Sequence, residues 1–206
     1  TVAGALEEGM IQNTDIFYCS GSKEVADYSI GCDLHSGHGT LDVAGALAQS
    51  CNVALMDIAE KMGAEIFYRY QRDFGFGSKT GVDLPGEVSA SSLMYDLEQI
   101  GPTELATMSF GQSFNATALQ CLNAFAAVIN GGNLMRPYIV SQVVDPEGTV
   151  LSETQPEVIR KVISEETSDI VREDMIQTLE VGTGKKAKIE GYVIGGKTGT
   201  AEQGRT

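Results

Sequence analysis

Five times in 206 residues a run with helical spacing ends on glycine, at Gly9, Gly63, Gly75, Gly131 and Gly182. Glycine enters the left-handed conformation at little cost and so stops a helix where it stands. Residues 1–9 read as the end of a helix. Thr40 or Asp42 caps the apolar run LDVAGALAQ, and a second helix, NVALMDIAEKMG, follows at once. The apolar residues of that helix, at 53, 55, 56, 58, 59 and 62, share one broad face. Ser50-Cys51-Asn52 lies in the joint between the two. AEIFYRYQRDFG (64–75) is a further short helix, and FGFGSKTGVDLPGE (74–87) is a loop punctuated by Gly and Pro. Pro102 opens a helix over 102–109. ATALQCLNAFAAVIN (116–130) is a largely apolar helix, and Ser164 caps one over roughly 165–180. PYIVSQVVDPEGTVL reads as a β-hairpin around Asp145–Gly148, while YVI (192–194) and the KTGTA after it read as strand. Residues 10–39, rich in Gly, Ser and Asp, read as loops with short strands. The mixture predicts an α+β fold, a mainly antiparallel sheet with helices packed on it.

Charge narrows the function classes. With 28 acids against 14 bases the formal net charge is −14, which argues against nucleic acid or an anionic membrane as partner. No apolar run approaches the roughly 18 residues that span a bilayer, and no charged-then-apolar leader opens the chain. The four cysteines, Cys19, Cys32, Cys51 and Cys121, include no C-x-x-C pair. Cys19 and Cys32 flank a short polar stretch and pair if the domain is exported; otherwise all four are free thiols. His35 and His38 read as loop structure, because no third ligand stands at a helpful spacing. Neither a metal nor a cofactor is expected. Arg136 and Arg205 read as surface charges.

Gly191 to Thr198 spells Gly, four residues, then Gly-Lys-Thr, the letters of a phosphate-binding loop. That loop needs a buried strand before it and a helix opening at its Lys-Thr. Here a charged stretch, GTGKKAKIE, precedes it, and Tyr-Val-Ile inside it favours strand. No helix and no magnesium-binding acid follow, so no nucleotide is expected.

Lys197-Thr198-Gly199 is better taken as a unit on a strand. The lysine supplies a cation, the threonines supply hydroxyls, and glycine admits a ligand close to the backbone. Ser50-x-Asn52 offers a hydroxyl and an amide at a helix joint. Alone, those two residues read as helix caps; the KTGT about 150 residues later, with its flanks, reverses that. The pairing resembles the penicillin-binding transpeptidases and their relatives the serine β-lactamases. SGHGTLDVAGALAQSCNVALMDIAEKMG, FGFGSKTGVDLPGE, SFGQSFNATALQ and GTGKKAKIEGYVIGGKTGTAEQ are all similar to family segments. The resemblance covers nearly the whole chain and is closest to the class B, monofunctional enzymes of peptidoglycan synthesis.

The resemblance implies a β-lactamase/transpeptidase-like fold and a D,D-transpeptidase that cross-links stem peptides through a serine acyl-enzyme and binds β-lactams. It implies that Ser50 passes a proton to the leaving nitrogen. Asn52 would bind the lysine beside the nucleophile and the substrate amide, and Lys197 would stabilise anionic charge and orient Ser50. Thr198 and Thr200 would hold the substrate carboxylate beside Gly199, and the Thr200 amide would be one oxyanion donor. Gln112 is either a ligand contact near the cleft or a loop-packing residue. The partners it implies are a D-Ala-D-Ala stem peptide, β-lactams and cell-wall synthesis proteins, at the extracytoplasmic face of the bacterial cell membrane, with the protein anchored through an N-terminal segment absent from this chain.

Two look-alikes need separating. Lys79-Thr80-Gly81 repeats the tripeptide inside what resembles a structural loop. Ser20-Gly21-Ser22-Lys23 has the Ser-x-x-Lys of the family's nucleophile, but the residues after it form no convincing apolar helix. The family's nucleophile helix runs into something like ALEEG, as residues 5–9 do. The acylating serine is therefore expected upstream of Thr1, so that 1–206 is a partial domain, incomplete at both ends and inactive alone. A serine β-lactamase and a non-catalytic penicillin-recognising sensor are the alternatives; no Glu-x-x-Leu-Asn segment of a class A lactamase stands between Asn52 and Lys197.

Overall fold

The computed structural model describes residues 1–88 and 94–200; Ala201 and Arg205, included in the readings above, lie outside them. Helices α1 (Val2–Glu7) and α2 (Val43–Ala48) are short. Helix α3 (Asn52–Asp73) is long but broken, because Gly63 sits at φ 74° and ψ 162°. The predicted stop is thus real, and two helical segments meet at that residue. Of the two candidate caps for α2, Asp42 is the one used: its Oδ1 accepts from the Gly45 amide at 2.7 Å.

The first half of α3 is the centre of the core. Val53, Ala54, Leu55, Met56, Ile58, Ala59 and Met62 are all buried. They are enclosed by Val2 and Ala5 of α1, Phe17 of strand β1 (Phe17–Cys19), and Ala106 and Met108 of α4 (Pro102–Ser109). Truncating a residue as enclosed as Ile58 to Ala costs about 2–5 kcal/mol. Helix α5 (Ala118–Ile129) starts on a capping box, in which Thr117 Oγ1 accepts from the Gln120 amide and Gln120 Oε1 accepts from the Thr117 amide.

Helix α6 (Glu165–Glu180) starts at Ser164, as its sequence predicts, and packs on α1, α2 and α5. Its first turn is tied to α1 by one carboxylate. Glu7 Oε2 accepts from the Ser164 amide at 2.9 Å, the Ser164 hydroxyl at 2.8 Å and the Thr167 hydroxyl at 2.6 Å. Burial works against the Glu7 charge, but these bonds and Lys161 outweigh it and hold the group below its ordinary range.

The strands form four two-stranded antiparallel ribbons. β1 pairs with β4 (Gly39–Leu41), and β2 (Ser22–Val25) pairs with β3 (Tyr28–Gly31). β5 (Asn133–Met135) pairs with β8 (Val158–Lys161), and β6 (Gln142–Val144) pairs with β7 (Val150–Glu153) across the predicted hairpin turn. The architecture is the expected mixture of helices and antiparallel strands. One local expectation fails: residues 192–200 form no strand. A strand exists through a ladder to a neighbour, and no described residue offers one here; Val193 is 82% exposed. The stretch is instead docked on α6 by the Gly196 amide, which donates to the Met175 carbonyl at 3.1 Å.

Candidate active site

The α2–α3 joint fixes the first half of the site. Ser50 adopts φ 53°, the left-handed region that residues with a Cβ rarely enter. Cys51 then caps α3, its Sγ accepting from the Ala54 amide at 3.5 Å, so Asn52 begins the helix. The turn leaves Ser50 half-buried and facing the segment that carries Lys197.

The two halves meet at one hydrogen bond. Lys197 Nζ donates to Ser50 Oγ at 2.7 Å, although the residues are 147 positions apart. It also reaches the Thr198 carbonyl at 3.2 Å. Because the ammonium donates to Ser50 Oγ, the Ser50 proton stays available to a third group, and charge developing on that oxygen is offset. Burial holds the Lys197 pKa below its ordinary 10.5. Gln112 Nε2 donates to the Thr200 carbonyl at 3.1 Å, which brings the SFGQS loop against the KTGT segment. A Cβ built on Gly199 meets nothing within 4 Å, so that backbone is open to an approaching molecule. Asn52 turns the other way in part: its Nδ2 donates to the Gly31 carbonyl at 3.1 Å.

Thr183 belongs to this constellation and carried no individual assignment from the sequence. Its hydroxyl lies 2.9 Å from that of Thr198, and its amide donates to the Ala48 carbonyl at 2.9 Å, just before Ser50. The approach is close enough to require the neighbouring glycine, since a Cβ on Gly182 would lie 2.1 Å from the Ala48 oxygen. The signal in the sequence was the GTG of 182–184, a threonine between two residues without side chains.

Both look-alikes are occupied elsewhere. Ser20 Oγ donates to the Ser22 carbonyl at 3.0 Å, and Lys23, on β2, is paired with Asp57 and with Glu60 of α3. Burial disfavours the Lys23 charge, yet those two carboxylates outweigh it and raise the pKa. Thr80 of the earlier KTG is buried, its amide and hydroxyl both donating to Glu87 Oε1 at 2.6 Å.

One premise of the histidine reading, that no further ligand stands near, fails for His38. His38 does have partners: Cys19, Cys32 and Cys51 stand with it so that all four ligand atoms lie within 4.8 Å of one another. They come from four separate stretches, which local spacing does not reveal. No disulfide joins them; Cys19, Cys32, Cys51 and Cys121 are all free. Burial pushes the Cys51 thiol up. At Cys19 burial acts the same way, but hydrogen bonds from His38 and Gly21 outweigh it and bring the thiol down to about 7.

The penicillin binding protein transpeptidase domain family matches residues 1–206. The chain is 40% identical over 205 residues to stage V sporulation protein D of Bacillus subtilis, covering 98% of this chain and 31% of that protein. It is 34% identical over 210 residues to penicillin-binding protein PbpB of Mycolicibacterium smegmatis, covering 98% and 32%. It therefore spans about a third of the length of these curated relatives. Among solved structures, the D,D-transpeptidase domain of a peptidoglycan glycosyltransferase from Eggerthella lenta superposes with a TM-score of 0.88 at 27% identity, covering 98% of this chain and 52% of that one. Penicillin binding protein 3 of Mycobacterium tuberculosis in complex with aztreonam also gives 0.88, at 29% identity and coverages of 98% and 46%.

Proposed function

Because the chain belongs to the penicillin binding protein transpeptidase domain family, we propose that it is the proton-handling and carboxylate-binding part of a class B peptidoglycan D,D-transpeptidase. The observation that carries this is the 2.7 Å bond from Lys197 Nζ to Ser50 Oγ. It joins two short motifs that mean little apart, and it supplies a hydroxyl whose proton is free to move.

In the proposed reaction a serine of the parent protein attacks the carbonyl between the two terminal D-Ala residues of a stem peptide. The lysine beside that serine takes its proton, Ser50 delivers a proton to the leaving nitrogen and is reprotonated from that lysine, D-alanine departs, and an acyl-serine remains. An amine of a second stem peptide then takes the acyl group, forming the cross-link and freeing the serine. Lys197 offsets the charge on Ser50 and attracts the substrate carboxylate, which Thr198 and Thr200 bind with their hydroxyls. Thr183 fixes the Thr198 hydroxyl. The Thr200 amide is one oxyanion donor, a role worth about 3–4 kcal/mol of barrier in acyl transfer. Asn52 orients the substrate amide and the lysine beside the nucleophile, and Gln112 holds the KTGT segment through Thr200.

The nucleophile lies outside residues 1–206. Ser20 is the only serine followed by lysine at the required spacing, and its lysine is committed to Asp57 and Glu60. β-Lactams enter as mimics of the D-Ala-D-Ala terminus and leave a slowly cleared acyl group. The M. tuberculosis relative complexed with aztreonam and with ampicillin supports the binding of β-lactams. The substrate implies work on the outer face of the cell membrane. No helix among the described residues is long and apolar enough to cross it.

The test is to incubate the full-length protein with a labelled penicillin and map the adduct. One label per chain on a serine outside 1–206 is expected. No adduct, or an adduct on Ser20, contradicts the proposal.

A further inference from the structure

We propose that Cys19, Cys32, His38 and Cys51 form a closed tetrahedral Zn²⁺ site whose task is to hold the Ser50–Asn52 segment in place. Two of the ligand pairs already stand at that ion's spacing, and all four atoms lie close enough to converge on it. Cys32 Sγ is 3.5 Å from His38 Nδ1 and 3.9 Å from Cys51 Sγ, and no pair among the four ligand atoms exceeds 4.8 Å. A tetrahedral zinc with sulfur at about 2.3 Å and nitrogen at about 2.0–2.1 Å sets S···S near 3.8 Å and S···N near 3.5 Å. Three thiolates and one imidazole complete the coordination shell. With no position left for water or substrate, the site is structural and does not itself act on a substrate.

The surroundings favour a dication over loose thiols. Cys19, Cys32 and Cys51 are 1%, 2% and 0% exposed. Three thiols and an imidazole crowded in such a place have weak hydrogen-bonding capacity for one another. On binding, the thiols release their protons to solvent and the ion offsets all but one of the three thiolate charges. The N-terminus of α3 adds to this, because Cys51 Sγ already accepts the Ala54 amide and the helix dipole favours a negative ligand there. A Cys32–Cys51 disulfide is the competing use of the pair, but it would leave Cys19 and His38 without a role.

The fold supplies a reason for the ion. The ligands come from the end of β1, from just after β3, from just before β4, and from the cap of α3. The β1–β4 and β2–β3 ribbons have strands of three or four residues, and isolated two-stranded ribbons are marginal in water. One ion would tie both ribbons to the core helix. Cys51 lies between Ser50 and Asn52, and Asn52 donates to the carbonyl of Gly31, the residue before Cys32. Cys51 is therefore joined directly to Ser50 and Asn52, and Cys32 follows the residue whose carbonyl holds Asn52. This consequence for acylation rests on the transpeptidase reading; the presence of the metal does not.

The experiment measures zinc per chain by elemental mass spectrometry in the full-length protein, purified without chelator from zinc-supplemented medium. About one zinc per chain is expected. The ion should be lost in Cys19→Ala and His38→Ala and kept in Cys121→Ser, whose cysteine is exposed and outside the cluster. Should the variants fail to fold, the wild-type protein is titrated with an organomercurial in the presence of a zinc-sensitive dye, and about one zinc should be released as the thiols are blocked. Labelled-penicillin acylation should fall at least tenfold on zinc removal and return on re-addition. A wild-type protein with less than about 0.2 zinc per chain overturns the proposal. So does a Cys32–Cys51 disulfide in the natively purified protein, or one zinc per chain that survives both Cys19→Ala and His38→Ala. Bound zinc without penicillin acylation would instead strike at the transpeptidase reading and leave the metal site standing.

Discussion

The chain carries Lys-Thr-Gly twice, and the two copies live in opposite circumstances. At 79–81 the threonine is the buried member. Thr80 donates twice to Glu87 Oε1, and the Gly81 amide donates to Glu87 Oε2 at 3.0 Å. Lys79 projects outward beside a small concavity lined by Arg72, Ser78, Gln120 and Arg160, and no hydroxyl among the described residues receives its proton. At 197–199 the lysine is the half-buried member, and it donates to Ser50 Oγ. Thr198 is exposed; its hydroxyl meets that of Thr183, and Lys197 Nζ reaches its carbonyl. The concavity at the first copy carries Arg72, Lys79 and Arg160, and the hydroxyl of its Thr80 is spent on Glu87. The same three letters thus build a turn clamp in one place and a lysine–serine pair in the other, and the difference lies in what each lysine and threonine touches.

The sharpest way to break this comparison is to remove each lysine in the full-length protein. Lys197→Ala is expected to slow penicillin acylation by about 10²–10³-fold, on the scale of one lost oxyanion donor. Lys79→Ala should change it less than twofold. Equal losses would erase the distinction.

The next effect is one of stability and falls on the first copy. Glu87→Ala leaves the buried Thr80 amide and hydroxyl without their acceptor, a loss of about 1–3 kcal/mol. Thermal melting should register it, while the acylation rate of the folded protein stays within twofold of wild type.

How much of this could be read in the sequence follows the range of the forces involved. The Ser164 cap, the Pro102 start, the Gly63 break and the 145–148 turn depend on a few neighbouring residues, and each stands where its sequence places it. Fold class followed from the same local signals. The strand expected at 192–200 depends on a partner that local sequence does not contain. The Cys19–Cys32–His38–Cys51 cluster is a product of tertiary packing, so a spacing test returned nothing. Ser50 and Lys197 were nominated through the resemblance, and only the fold brings them to 2.7 Å. Thr183 was quoted within a segment yet given no role, since nothing nearby in sequence marks its meeting with Thr198.

A smaller effect concerns backbone strain at the second copy's partner. Ser50 is held at φ 53°, a conformation that costs a residue with a Cβ roughly 1 kcal/mol relative to glycine. Ser50→Gly should therefore melt at the same temperature as wild type or a few degrees higher, while losing acylation. A large drop in melting temperature would mean that the Lys197 bond, and not the turn, sets this region's stability.

The smallest is a dependence on acid. Burial opposes the Glu87 charge, but the Thr80 and Gly81 hydrogen bonds outweigh it and keep its pKa below 4.5. Its contribution is present in full above 4.5 and is lost as pH falls from there through the lower folded value. Glu87→Gln should flatten that part of the stability curve, measured by denaturant midpoints between pH 6 and pH 3, and leave the curve unchanged above it.

The claim that Lys197 acts through Ser50 is tested most directly by a double-mutant cycle on penicillin acylation, using Lys197→Ala, Ser50→Ala and the pair in the full-length protein. A charge-assisted hydrogen bond of this kind predicts a coupling of about 1.5–3 kcal/mol, with the double variant little slower than the worse single one. Losses that simply add, with coupling near zero, would contradict the account.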